Sequence, residues 1–217
     1  MPGTRELLRR VGYAVPGVRD ALEARHRRLT HDVWRRPVQS EGNTPADYAT
    51  YTNRSELLEE LLADTPKDSR ILEVGCNVGR NLAHLADVGY SRLEGVEINP
   101  HAVALLRQTY PQLADVPIHV GPAEDVLPGL EPFDLVFTMA VLMHLHPSSD
   151  SVLDEIARLG SRVLVIEPSG QMQFQRDLRK EFTSRGMTLV EERDLHGHPK
   201  AAGDDLDAYE ALRFERR

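Results

Sequence analysis

The 217-residue chain reads as an α/β protein: a doubly wound, seven-stranded, mostly parallel sheet with an antiparallel last strand, helices on both faces and a helical N-terminal appendage. Three observations predict this. From residue 70 onward, short apolar runs alternate with stretches of helical periodicity, the pattern that builds a parallel sheet covered by helices. The last two runs have no helix between them, only Asp, Gly, His and Pro, which suits an antiparallel pair closing the sheet. Before residue 48 the periodicity is helical alone.

The elements follow in order. Residues 4–11 and 17–34 have helical character, broken by Gly12 and by Pro16-Gly17. In the second stretch Val18, Leu22, Leu29 and Val33 recur at helical spacing, and Arg fills much of the polar face. Residues 37–47 read as a loop, so the chain divides into an appendage, 1–47, and a core, 48–217. The appendage is expected to serve as a lid or a dimer element. A helix over 53–63 presents Leu57, Leu58, Leu61 and Leu62, and Asp64 to Ser69 turn the chain into the sheet. The apolar runs are 70–74, 92–98, 118–120, 133–138, 162–167, 187–192 and 209–215, with helices near 79–88, 100–109, 149–159 and 171–185.

Composition narrows the class. With 41% hydrophobic and 28% charged residues, the chain can bury a sizeable core. No apolar run reaches a membrane-spanning length and the N-terminus lacks a signal-peptide pattern, so a soluble cytoplasmic protein without membrane attachment is expected. The single cysteine, Cys76, excludes a disulfide framework and a cysteine-built zinc site. The net charge of −8 divides into +5 over residues 1–40 and −13 over the remainder. An acidic body argues against a broad nucleic-acid face, because phosphate neutralisation needs clustered cations. The basic N-terminus remains suited to a small anionic ligand.

The most informative segment is ILEVGCNVGRN, residues 71–81. A buried strand ends in Glu73, a tight turn holds Gly75 and Gly79, and a helix begins. Glycine serves where the backbone turns sharply and a ligand must approach without a Cβ in the way. Asn77 tolerates the left-handed conformations such a turn uses. The Gly-x-x-x-Gly spacing differs from the pyrophosphate fingerprint of dinucleotide enzymes. A carboxylate before the first glycine would repel a pyrophosphate but can receive an ammonium group. Glu97 closes the next run, where an acid can accept both hydroxyls of a ribose.

Taken in order, ILEVGCNVGRN, GVEINP, GPAEDVLP, FDLVFTMAVLMHL and VLVIEP resemble a class I S-adenosylmethionine (SAM)-dependent methyltransferase with its Rossmann-like sheet, over roughly residues 68–217. The finer wording is similar to bacterial methylases of sugar and cell-surface glycan pathways. The resemblance implies that Glu73, Gly75, Cys76, Asn77 and Gly79 hold the methionine end of SAM. It places Glu97 and Ile98 at the ribose, and Ala123 with Glu124 or Asp125 at the adenine. Pro122 stands where many relatives have an acid, which shifts adenine recognition toward the last two. Thr138 and Met139 would face the cofactor sulfur, and Tyr51 and Arg54 would lie over the cofactor, with Arg54 pairing with its carboxylate.

His144 is the candidate catalytic base, at the head of the cleft and able to take a proton from an attacking hydroxyl or amine. His146, and the pair His196 and His198 in the loop before the last run, are candidate substrate contacts. Four histidines from two loops also suit an imidazole-bound metal, but no metal is assigned. Asp134 reads as a structural acid near a strand start. Trp34, the only tryptophan, is expected to pack the appendage onto the core.

The resulting expectation is methyl transfer from SAM, with S-adenosylhomocysteine (SAH) as product, to an oxygen, less readily a nitrogen, of a small molecule such as a sugar or natural product. An RNA or protein methyltransferase and a non-catalytic SAM-binding protein are the alternatives. The TMAV residues after the fourth run are not an Asn/Asp-Pro-Pro-Tyr/Phe motif for amino groups of bases or glutamine. A homodimer is left open.

Overall fold

The computed structural model describes residues 18–36, 44–170, 174, 176–201 and 205–216. The expected helix at 4–11 lies outside them, as does most of the 37–47 loop. Within them, helix α1 (Val18–Arg35) precedes a short helix α2 (Pro45–Tyr48) and helix α3 (Thr52–Leu61). Strand β1 (Arg70–Val74) then opens the alternation with α4 (Arg80–Asp87), β2 (Arg92–Glu97), α5 (Pro100–Thr109), β3 (Ile118–Val120) and the short α6 (Ala123–Val126). It continues through β4 (Phe133–Met139), α7 (Ser151–Leu159), β5 (Gly160–Pro168), α8 (Leu178–Ser184), β6 (Met187–Asp194) and β7 (Tyr209–Arg216).

The seven strands form one sheet in the order β3-β2-β1-β4-β5-β7-β6. The first five are parallel, whereas β7 runs antiparallel to both β5 and β6, inserted between them. The strand order reverses between β1 and β4, which opens a crevice at their carboxyl ends, the place where open α/β sheets bind ligands.

Alternation along the strands feeds two cores. Ile71, Leu135 and Phe137 face one side, where they pack with Leu57, Leu58, Leu82 and Leu106 from α3, α4 and α5. Leu72, Val136, Val163 and Val165 face the other, against Ile156 of α7 and Phe182 of α8. Asp134, at the start of β4, accepts the Arg70 backbone N–H at 2.7 Å, a structural role that ties β4 to β1.

The appendage behaves differently from its periodicity. Leu29 and Val33, read as part of its apolar stripe, are 52% and 55% exposed. The side of α1 that meets the body carries Arg27, His31 and Trp34, because it lies over the cleft, where they meet the Ser148 carbonyl, Glu124 and His144. The loop expected over 37–47 contains the start of α2, where Thr44 and Asp47 form a capping box. The boundary between residues 47 and 48 therefore falls inside a helix.

Candidate active site

Glu73 ends β1 inside the molecule, 3% exposed. Burial pushes its carboxyl up to about 7. One oxygen accepts the Asn81 amide N–H at 2.8 Å, and the other, Oε2, is buried without a hydrogen-bond partner. An acceptor left unsatisfied in this way is costly and invites a donor from a ligand.

The turn after Glu73 is held by hydrogen bonds from Gly75 and Cys76 N–H to the Val96 carbonyl, at 2.8 and 3.0 Å. Gly75 and Gly79 lie at φ +78° and +73°, and Asn77 adopts φ 48°. A Cβ on Gly79 would come within 2.4 Å of Leu106, and one on Gly75 within 2.5 Å of Val141. The turn thus needs glycine for both conformation and space. The Asn77 Oδ1 is a second buried acceptor without a hydrogen-bond partner.

Glu97 closes β2, also buried, and burial raises its carboxyl above the usual range. Its oxygens accept the backbone N–H groups of Asn77 at 2.7 Å and Asn99 at 2.8 Å. It therefore ties the glycine turn to the start of α5 while its carboxylate keeps acceptor capacity for a further donor.

These residues line one cavity of about 190 Å³ that also takes in Ile98, Ala123, Glu124, Met139 and Arg54. The same cavity continues to His144 and His146 in the loop after β4, beneath Thr30, His31, Trp34 and Arg36 of the N-terminal segment. Trp34 does more than pack: its ring lies 4.4 Å from that of His144, centroid to centroid.

Several expected site residues sit elsewhere. Asp125 is exposed and outside the cavity lining, since the short α6 turns it outward. Glu124 reaches the cavity, but its carboxylate is engaged by the Ser149 hydroxyl at 2.9 Å and by His31 at 3.0 Å. Tyr51 precedes α3 outside the cavity lining, with its ring under the Arg54 guanidinium at 4.3 Å. Thr138 is fully buried and faces Glu167. Cys76 is among the residues lining the cavity, and burial holds its thiol well above the usual range.

His196 and His198 lie away from the cavity. The β6–β7 loop folds back on α3, where His198 meets Glu60 at 3.2 Å and Asn53 donates to the Lys200 carbonyl at 3.0 Å. His196 projects into solvent beside Asp207. The four histidines therefore do not converge. His146 lines the cavity and also caps its own turn, where its Nδ1 accepts the Ser148 N–H at 3.1 Å.

Two residues without a sequence-level role are prominent. Arg80, the first residue of α4, lines the cavity, donates to the Tyr48 carbonyl at 3.1 Å and to the Asn81 side chain at 2.9 Å, and places a cation beside Glu73. Its place directly after Gly79 was the available signal. Glu167, at the end of β5, is fully buried and accepts backbone hydrogen bonds from the loop that bears His144. The acid in VLVIEP marked the position, but not what it touches.

Residues 71–170 match the family model of a methyltransferase domain. That segment carries β1 to β5 and most of the residues that line the cavity, so this part of the chain is similar to a methyltransferase domain. The chain is 32% identical over 104 residues to a tRNA U34 carboxymethyltransferase of Shewanella loihica, covering 45% of this chain and 31% of that protein. It is 30% identical over 108 residues to a dTDP-3-amino-3,6-dideoxy-alpha-D-glucopyranose N,N-dimethyltransferase of Streptomyces fradiae, covering 48% and 41%. The chain spans less than half the length of these curated relatives. The fold resembles the SAM-bound magnesium protoporphyrin IX methyltransferase of Synechocystis, with TM-score 0.62, 17% identity and coverage of 91% and 96%. A TehB-like SAM-dependent methyltransferase of Corynebacterium glutamicum gives TM-score 0.61, 19% identity and coverage of 91% and 100%. Among the described residues no helix is long and apolar enough to cross a membrane.

Proposed function

We propose that the chain is a SAM-dependent methyltransferase that binds SAM at the carboxyl ends of β1 and β2 and transfers its methyl group to an oxygen of a small-molecule acceptor. The observation that carries this reading is the continuity of one cavity from Glu73 and Glu97 to His144 beneath α1. The residues fit the cofactor. The unpartnered Glu73 Oε2 suits an ammonium group, and Glu97 offers adjacent acceptors for two hydroxyls. Arg54 and Arg80 line the same end and supply cationic forks for a carboxylate.

When bound, SAM supplies an electrophilic methyl on a sulfonium centre. The protein's share is proximity and alignment, with Met139 and Ala140 at the end of β4 leaving room for an in-line approach. His144 accepts the proton of the attacking hydroxyl at an imidazole nitrogen as the new carbon–oxygen bond forms. Trp34 and α1 cover that end and limit water, which gives the appendage the part of a lid and favours a small acceptor such as a sugar or natural product. His146 and the rings of Trp34 and Tyr48 would contact it.

A second reading is methylation of RNA. Arg25, Arg28, Arg35 and Arg36 are exposed on the N-terminal segment, and the relatives include tRNA-modifying enzymes. A salt-sensitive RNA complex that is lost on deleting residues 1–40 would favour it.

The test has two stages. Thermal unfolding with SAM, SAH, NAD and NADP should show stabilisation by the first two alone, about 2.7 kcal/mol at a hundredfold excess over Kd. Incubation with SAM and sugar, phenol and amine acceptors should then release SAH. Binding without turnover across acceptors and RNA would point to a non-catalytic SAM-binding protein.

A further inference from the structure

The loop after β4 follows an unusual path. Ala140 takes φ 57°, a left-handed conformation that a residue with a Cβ rarely adopts. The next three residues turn their N–H groups toward a single carboxylate. Glu167 Oε1 accepts from Val141 and Leu142, each at 2.8 Å, and Oε2 accepts from Met143 at 3.1 Å. Successive backbone donors converging on one anion form a nest, here filled by the chain's own side chain.

This carboxylate is fully buried, and its only other described contact is the Thr138 hydroxyl at 3.5 Å. Glu210, its register partner on β7, is another acid, engaged by Arg179 at 3.1 Å. A carboxyl group is therefore buried at the end of β5 with loop amides as its main partners, an expensive arrangement for packing alone.

Two functional features depend on the loop's position. The His144 N–H donates to the Val141 carbonyl at 3.0 Å, so His144 is carried by the first residue of the nest. The Val141 side chain occupies the space a Cβ on Gly75 would fill, at 2.5 Å, so it forms the wall against the glycine turn.

We propose that Glu167 is a positioning residue for methyl transfer: its carboxylate holds the Val141–Met143 backbone, and thereby sets both His144 and the Val141 wall of the cofactor turn. The catalytic consequence rests on the function proposed above; the clamp itself does not. Glu167 touches neither reactant and acts through the loop.

The test uses the full chain with Glu167→Gln and Glu167→Ala. Glutamine keeps the carbonyl acceptor for Val141 and Leu142 but turns an amide donor toward the Met143 N–H. Alanine removes all three bonds. Amide exchange of the segment 139–146 should accelerate at least tenfold in Glu167→Gln and further in Glu167→Ala. Emission of Trp34, the single tryptophan, should change in the same order, because its ring lies against His144. SAH affinity should fall several-fold as the Val141 wall loosens.

If Glu167→Ala does not fold, Glu167→Gln carries the comparison, since it changes no volume. Wild-type exchange across 139–146 together with wild-type Trp34 emission in folded Glu167→Gln would overturn the proposal. If the unaltered chain bound no SAH, the proposed function would fall, while the exchange comparison would still decide the clamp.

Discussion

Trp34 lies against His144, with ring centroids 4.4 Å apart and planes inclined by 49°. The contact joins α1 to the loop after β4, and Arg27 donates to the Ser148 carbonyl farther along the same segment at 3.2 Å. His144 is thereby placed under a cover as well as at the head of the cleft.

Removing that imbidazole should separate binding from chemistry. In His144→Ala, methyl transfer to an ionisable hydroxyl should fall by about 10²–10⁴-fold, the usual contribution of a general base. SAH affinity, measured by calorimetry, should stay near wild type, because the cofactor residues are untouched. A parallel loss of both would mean that His144 shapes the cavity instead.

Glu73 makes stability depend on pH in a defined direction. Its folded carboxyl titrates near 7, above the usual value of 4.5. The native state therefore holds an extra proton between those values, and stability falls as pH rises through the window, by at most roughly 1.4 kcal/mol per pH unit. Glu167, also pushed up to about 7 by burial, acts in the same direction. Glu73→Gln should flatten the profile of melting temperature between pH 4.5 and 7 and should weaken SAM binding by about 10–100-fold through loss of a charged partner. A steeper profile in the variant would contradict this assignment.

Gly79→Ala should be severe. The left-handed backbone costs a residue with a Cβ about 1–2 kcal/mol, and the 2.4 Å approach to Leu106 adds strain. Denaturant unfolding should show a loss of at least about 2 kcal/mol, with α5 displaced and cofactor affinity reduced.

Glu124 is predicted to matter for the cover more than for an adenine ring. Its carboxylate meets His31 at 3.0 Å and Arg27 at 3.8 Å, both on α1. Glu124→Ala should cost the fold about 1–3 kcal/mol, because the buried Ser149 hydroxyl loses its acceptor, while the partly exposed pairs to α1 add little. Acrylamide quenching of Trp34 should rise clearly as α1 loosens, while SAH affinity changes little. An unchanged quenching constant would show that α1 is held by its other contacts.

Much of this arrangement was legible beforehand for a physical reason. Strand alternation, the positive-φ glycines and acids at strand ends are local consequences of backbone geometry, so RILEV, Gly75, Gly79 and Glu97 could be read in place. The insertion of β7 between β5 and β6 was not readable, because runs 187–192 and 209–215 carry no mark of their partner strands. Nor was the fate of His196 and His198: the β6–β7 loop is drawn to Glu60 and α3 by contacts between residues more than a hundred positions apart. The α1 periodicity misled for a related reason. Leu29 and Val33 repeat as a buried stripe would, yet the docked side is chosen by Glu124 and His144, which no local pattern announces.

The thiol of Cys76 rests where a side chain on Gly95 would stand, a Cβ there coming within 2.8 Å of the sulfur. The chain's lone thiol is thus sealed between β2 and the glycine turn, and it can meet a solvent-borne alkylating reagent only when that turn opens. Its labelling rate becomes a clock for opening of the cleft floor, readable by mass alone. A ligand that occupies the turn should slow the clock without any knowledge of what is methylated.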